Sequence, residues 1–173
     1  QANAMIAAMA EWEAVANVRF IVRPEGYCCK LHIQASASQN NSEVGYKAGT
    51  QIVNIVSWGN KFIMAHELAH AMGFVHEQQR QDRNTYVQIN WGNINGDEDF
   101  RDANFGIHYD AGHYSPYDFD SVMHYGQCDF SINGNCDNDG LYPTITVLAP
   151  YQFWQTRIGQ RDHFSVTDRT IMH

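Results

Sequence analysis

The chain has 173 residues, of which 44% are hydrophobic and 17% charged, and this composition is typical of one globular domain. The formal net charge of −8 argues against a nucleic-acid partner, because phosphate binding requires clustered lysine and arginine. No apolar run is long enough to span a bilayer, so we expect no membrane partner. The chain opens at Gln1 without an initiator methionine or a signal peptide, which predicts a processed or trimmed form.

Residues 2–16 are predicted to form the first helix. Met5, Met9 and Trp12 recur at helical spacing and give the segment one apolar face. Asn17 follows this face, and we expect the helix to end there.

Three strands are predicted between this helix and the next one. Their apolar residues alternate or cluster in short runs bounded by turn residues; the runs are residues 18–22, 30–34 and 51–56. A second helix is predicted over residues 60–72.

Cys28 and Cys29 are adjacent, and the sequence leaves their state open. Either they form a vicinal disulfide or one of them pairs elsewhere, because connectivity cannot be deduced from sequence. A second metal site is a less favoured alternative, since His32 is the one histidine at a suitable spacing.

The second predicted helix carries the motif H-E-x-x-H-x-x-G-x-x-H. Its two helical histidines, His66 and His70, lie one turn apart on one face and can bind the same cation. Gly73 can adopt the left-handed conformation that ends a helix, which would return His76 to that cation. Three protein ligands and one open position are typical of a catalytic zinc site. Glu67 then takes the position of a general base for a metal-bound water.

The C-terminal half is predicted to be rich in loops. Residues 84–160 lose regular apolar periodicity and are dense in Gly, Asn, Asp and Tyr. Cys128 and Cys136 enclose a short loop with an Asn-Gly turn signal, which predicts a local disulfide. Ser165 is predicted to cap a short terminal helix over residues 166–172.

Several segments resemble landmarks of the astacin family of metalloendopeptidases. Residues 77–87, EQQRQDRNTYV, resemble the stretch that follows the third histidine in that family. Residues 121–125, SVMHY, resemble its Met-turn. The C-terminal landmarks are similar as well; they are residues 143–145 and 158–161, Ser165 and Asp168. The resemblance runs from about residue 5 to the end of the chain.

The resemblance implies an α+β fold, with residues 1–173 forming a single two-lobed, metzincin-like catalytic domain. The N-terminal lobe, about residues 1–76, would contain a mixed twisted sheet and two long helices. The C-terminal lobe, about residues 77–173, would be loop-rich with a short terminal helix. We expect the zinc between these lobes.

The resemblance also implies one Zn²⁺ per chain, held by His66, His70 and His76. It assigns Tyr125 as a fifth ligand in the resting enzyme, which swings away to stabilise the oxyanion during the reaction. A phenol is able to do either. Met123 is expected to pack beneath the metal as an apolar floor, and His124 to shape the turn without ligating.

Glu77 would anchor the N-terminal ammonium of the mature chain if the resemblance held throughout. The chain begins at the first helix and lacks the strand that precedes this helix in the family. The role of Glu77 therefore stays open.

The implied function is that of a secreted endopeptidase, acting as a monomer on protein or peptide substrates. Glu67 would accept the proton of the zinc-bound water and deliver it to the leaving amine. The family implies a zymogen whose inhibitory pro-segment would be a further partner. Four cysteines fit the oxidising extracellular compartment that the family implies.

Two other functions are compatible with the motif. One is a zinc hydrolase that acts on a non-peptide substrate, and the other is a peptide-binding module with low turnover. The complete set of predicted ligands together with Glu67 and Tyr125 favours the endopeptidase.

Overall fold

The computed structural model describes residues 1–112 and 114–171. The helices are α1 (Ala2–Val15), α2 (Lys61–Ala71), α3 (Glu98–Phe105), α4 (Cys136–Asp139) and α5 (Val166–Thr170). The strands are β1 (Leu31–Ala35), β2 (Asn41–Ser42), β3 (Gln51–Ile55), β4 (Val87–Ile89) and β5 (Ile145–Val147). None of the described helices is both long and apolar enough to cross a membrane.

The chain divides into two compact units. The first comprises residues 1–74 together with the segment that begins at Arg161, and the second comprises residues 75–160. The C-terminal helix α5 thus belongs to the first unit.

The first unit combines a small mixed sheet with two helices. Strand β3 lies between β1, which is parallel to it, and β2, which is antiparallel. Helix α1 packs against α2; Trp12 is fully buried and its indole Nε1 donates to Ala65 O at 2.9 Å. Trp12 also contacts the ring of Phe164, with ring centroids 4.2 Å apart. The predicted helix over residues 2–16 is confirmed in α1.

The predicted strand over residues 18–22 was wrong. This segment has no regular secondary structure and pairs with no strand among the described residues. Its Phe20 N donates to the Glu13 side chain at 2.7 Å, and Ile21 and Val22 are exposed. An apolar run becomes a strand only if a neighbouring strand pairs with its backbone, and no strand in the described part of the chain pairs with this segment.

Two of the predicted helices begin at a residue whose side chain caps the helix N-terminus. The Asn60 side chain accepts hydrogen bonds from Phe62 N and Ile63 N at the start of α2. Ser165 caps α5, as expected, in a reciprocal pair with Asp168. The predicted end of that helix at residue 172 lies outside the described residues.

The second unit has its own core around a two-stranded sheet. Strands β4 and β5 are antiparallel, and ten buried residues pack together around them: Val87, Ile89, Ile94, Phe105, Tyr117, Phe119, Tyr125, Ile145, Val147 and Ile158. The predicted Cys128–Cys136 disulfide is present in this unit. Cys28 and Cys29, in the first unit, are exposed free thiols, and no disulfide joins them in this structure.

Candidate active site

Helix α2 presents two imidazoles to one point. His66 and His70 are buried, and their Nε2 atoms lie 3.1 Å apart. Two nitrogens bound tetrahedrally to one zinc at the usual bond length would be about 3.3 Å apart. The spacing of the pair therefore fits a shared cation.

A contact at Nδ1, the ring nitrogen that does not face His66, fixes the ring orientation of His70. Its Nδ1 lies 2.8 Å from Phe74 O, and because a carbonyl oxygen can only accept, this nitrogen carries the proton. The lone pair of the neutral ring is then on Nε2, which faces His66. Phe74 O is available because the chain has left the helix at Gly73, whose φ of 106° a side chain would disfavour. The predicted role of Gly73 is confirmed.

His76 follows His70 by six residues and completes the group. One nitrogen from each of His66, His70 and His76 lies within 4.8 Å of the others, and no other such metal-binding group of His, Cys, Asp or Glu occurs in the described part of the chain. Cys28 and Cys29 are in no such group. The donor set of three neutral imidazoles suits Zn²⁺ and leaves a coordination position open.

Glu67 lies on α2 between the two histidines in sequence and is only 4% exposed. Its Oε2 is buried and has no hydrogen-bond partner among the described residues. Burial raises the pKa of this carboxyl to about 8, against the opposing charge of Arg161. A buried carboxylate oxygen without a partner favours a cation or a proton donor beside it.

Tyr125 lies in the second unit beside His76. The two ring centroids are 4.2 Å apart, and the phenol donates a hydrogen bond to Asn104 Oδ1 at 3.0 Å. Ligation by Tyr125, which the family resemblance implies, stays a prediction. The hydrogen bond to Asn104 can hold the Tyr125 hydroxyl when it does not bind a metal ion.

The neighbours of Tyr125 in the Met-turn segment have structural contacts. Met123 is buried, and its carbonyl accepts from Glu77 N at 3.1 Å. His124 is fully buried; its Nδ1 lies 2.7 Å from Tyr125 O and its Nε2 lies 2.8 Å from the Tyr117 hydroxyl. Both ring nitrogens of His124 therefore stabilise the turn.

The carboxylate of Glu77 is engaged inside the second unit. Its Oε1 accepts from the Arg80 guanidinium at 3.0 Å and from Asp118 N at 2.8 Å. Arg80 also pairs with Asp82. Glu77 is thus one member of an ion-pair network that connects the segment after His76 to Asp118.

Two amide side chains that no sequence motif marks contact predicted site residues. Gln79 Oε1 lies 2.9 Å from His76 Nδ1, and Asn104 accepts from Tyr125. Asn104 lies on α3, and Gln79 donates to a carbonyl of α3. The sequence carried no helical periodicity that would have located α3, so these contacts could not be foreseen.

Comparison with known proteins identifies the family. The model of the peptidase family Astacin matches residues 1–173. The chain belongs to the astacin family. The predicted resemblance is confirmed, and this family is one of zinc-dependent metalloendopeptidases.

Individual astacins match most of the chain. High choriolytic enzyme 1 of Oryzias latipes is 36% identical over 165 residues, which are 94% of this chain and 56% of that protein. Meprin A subunit alpha of Rattus norvegicus is 42% identical over 116 residues, which are 65% of this chain and 14% of that protein. The chain therefore spans about half the length of the choriolytic relative and a smaller share of the meprin subunit.

Solved structures confirm the predicted fold class. The structure of high choriolytic enzyme 1, described as a hatching enzyme zinc-protease, superposes with a TM-score of 0.82 at 32% identity and covers 99% of this chain and 80% of that one. Myroilysin superposes with a TM-score of 0.63 at 16% identity, which shows a shared fold alone. The chain has the mixed helix-and-strand astacin fold, with small open sheets.

Proposed function

We propose that this chain is the catalytic part of a zinc-dependent endopeptidase that hydrolyses internal peptide bonds of proteins. One observation carries the proposal: three imidazoles come within reach of one cation, and the helix α2 that bears two of them also bears a buried carboxylate oxygen with no hydrogen-bond partner among the described residues. Membership of the astacin family supports the same reaction.

His66, His70 and His76 would hold one Zn²⁺ through ring nitrogens that lie within 4.8 Å of one another. Zinc bound there supplies a Lewis acid, which lowers the pKa of a coordinated water and polarises a substrate carbonyl. The chain's own residues supply the movement of protons and the stabilisation of charge.

Glu67 is the general base of the proposed reaction. Its side chain accepts a proton from the attacking water and returns it to the leaving amine. The pKa of about 8 belongs to the carboxyl without a cation beside it. Positive charge held by the three histidines favours the ionised carboxylate, which is the form that accepts a proton.

Tyr125 is the proposed hydrogen-bond donor to the oxyanion. Its hydroxyl donates to Asn104 Oδ1, and the same proton is available to a developing negative charge once this bond is released. In the resting enzyme its oxygen is the proposed fifth ligand.

We further propose that the protein is secreted, acts as a monomer and is made as a zymogen blocked by a pro-segment. The Cys128–Cys136 disulfide supports an oxidising compartment. The pro-segment and the zymogen rest on the family alone.

The substrate class is tested by comparing casein with small esters and amides. The chain is purified, stripped with a chelator and reloaded with zinc, and both substrate types are measured in each state. Cleavage of casein that is lost with the chelator and restored by zinc is expected. Hydrolysis of small esters with no casein cleavage would contradict the endopeptidase, and binding of casein without turnover would point to a recognition module.

A further inference from the structure

Gln79 has a buried side-chain amide, and both its oxygen and its nitrogen make polar contacts. It is 2% exposed and lies in the short 3-10 turn Glu77–Gln79 that follows His76. Its Oε1 lies 2.9 Å from His76 Nδ1, and its Nε2 donates to Ala103 O at 3.0 Å. Because a buried amide is costly unless its polar atoms are bonded, these two contacts fix the side chain.

The contact with Ala103 decides which way the amide faces. Ala103 O is one of the last four carbonyls of α3, and these have no partner within the helix. A carbonyl can only accept, so the NH₂ group of Gln79 must face it. The reversed amide would bring two oxygens together at Ala103, which is repulsive.

With the amide oriented in this way, the tautomer of His76 follows. Gln79 Oε1 can only accept, so the Nδ1 of a neutral His76 ring carries the proton. The lone pair is then on Nε2, the nitrogen that remains to bind a cation. His70 reaches the same state through a different acceptor, the carbonyl of Phe74.

We propose that Gln79 is a positioning residue that sets the tautomer and the ring orientation of His76 for zinc binding. The inference rests on the proposed zinc site and deepens it. Gln79 itself does not touch the metal. Acceptors of this kind behind a ligating histidine change metal affinity when they are removed.

The backbone of the second unit holds Gln79 rigidly enough for this task. Gln79 N donates to His76 O at 3.0 Å, and His108 N donates to Gln79 O at 2.9 Å. The side chain is therefore tied to His76, to α3 and to the segment at His108. A leucine of similar size would keep the packing and remove only the polar contacts.

The test measures zinc dissociation constants of three variants by competition with a chromophoric chelator. Gln79→Leu removes the acceptor for His76 and the donor to Ala103. Gln79→Glu keeps an acceptor for His76 but replaces the donor to Ala103 O with a second oxygen. Gln81→Leu is the matched control, because Gln81 is exposed and its amide donates to Tyr109 O at the surface.

Gln79→Leu is expected to weaken zinc binding about 10- to 100-fold, and Gln81→Leu should leave the zinc dissociation constant unchanged. Gln79→Glu keeps the acceptor for His76 but brings a second oxygen to Ala103 O, so its loss of affinity should be smaller than that of Gln79→Leu. Equal loss in Gln79→Leu and Gln79→Glu would overturn the inference, because the bond to Ala103 would then explain the effect. No loss in Gln79→Leu would overturn it as well. Failure of the wild type to bind zinc at all would instead refute the proposed metal site.

A second measurement needs no variant. Long-range ¹H–¹⁵N correlation spectra of the metal-free wild type, at alkaline pH where imidazole is neutral, report which nitrogen of His76 carries the proton. We expect the Nδ1–H form. A dominant Nε2–H form would overturn the inference even if Gln79→Leu failed to fold.

Discussion

Glu67 is the residue whose environment is hardest to explain as structure alone. It is buried, and one of its oxygens has no partner in the described part of the chain. Buried polar atoms in native proteins are nearly always bonded, so each exception calls for an explanation. A water activated beside a cation at His66 and His70 would provide the missing partner.

The burial of Glu67 predicts how the metal-free protein responds to pH. The carboxyl has a pKa of about 8 in the folded chain against 4.5 without burial. The folded state therefore holds the proton more tightly, and stability present below pH 4.5 is lost as the pH rises through about 8. Glu67→Gln cannot titrate and should escape this loss.

Urea unfolding of the chelator-treated proteins checks this. The free energy of unfolding of Glu67→Gln minus that of the wild type should grow with pH between 4.5 and 8, by a few kcal/mol at most. A difference that is constant with pH would show that Glu67 is not desolvated in the folded chain.

The proposed role of Tyr125 predicts that its substitution lowers kcat much more than zinc affinity. Tyr125→Phe removes the hydroxyl but keeps the ring that lies 4.2 Å from His76. The value of kcat should fall about 100-fold or more, as when one oxyanion donor is removed, while the zinc dissociation constant changes much less. If the variant instead loses its zinc, Tyr125 is mainly a ligand and the proposed donor role is wrong.

At the scale of elements, α1 supports the helix that carries the metal-binding motif. Trp12 is fully buried and donates to Ala65 O, the carbonyl directly before His66. The indole also packs against Phe164 and Phe74. Trp12 is therefore one of the residues that position α2 in the first unit.

Trp12→Ala should reduce the free energy of unfolding by about 3–5 kcal/mol, because it leaves a large cavity. Ile6→Ala on the same helix is the control; Ile6 is 59% exposed, and its substitution should cost no more than about 0.5 kcal/mol. Urea denaturation in the presence of zinc measures both. Equal effects of the two substitutions would contradict the role of Trp12 as a contact that stabilises the position of α2.

The sequence predicted those elements that local rules specify. Helix α2 could be located because its cap Asn60, its ligand spacing and Gly73 all act within a few residues of each other. Helix α3 and strands β4 and β5 could not, because they are short and are stabilised by contacts between residues distant in sequence, such as Gln79 with Ala103. The strand predicted over residues 18–22 failed for the same reason, since pairing depends on a distant partner.

At the scale of the molecule, the proposed catalytic residues are divided along the chain. His66, Glu67 and His70 belong to the first unit, and His76 and Tyr125 to the second. The three histidines could be predicted from the sequence because one continuous motif contains them. The role of Tyr125 came from the family resemblance, since no local rule marks one tyrosine among nine.

Zinc should also stabilise the folded chain, because the unfolded chain does not hold three imidazoles together. Free zinc at about 1,000 times its dissociation constant would add about 4 kcal/mol to the free energy of unfolding. Thermal unfolding with and without a chelator measures this. An unfolding midpoint that does not change would contradict binding of zinc to the native state.

The most direct test of the proposed function compares the wild type with Glu67→Gln. Zinc content by elemental analysis and casein cleavage are measured on the same samples, with and without a chelator. We expect one zinc per chain in both proteins, chelator-sensitive cleavage by the wild type and at least a ~100-fold lower rate in the variant. Substantial cleavage by a zinc-loaded Glu67→Gln would contradict the general-base role, and a wild type that cleaves casein without zinc would contradict the metalloendopeptidase itself.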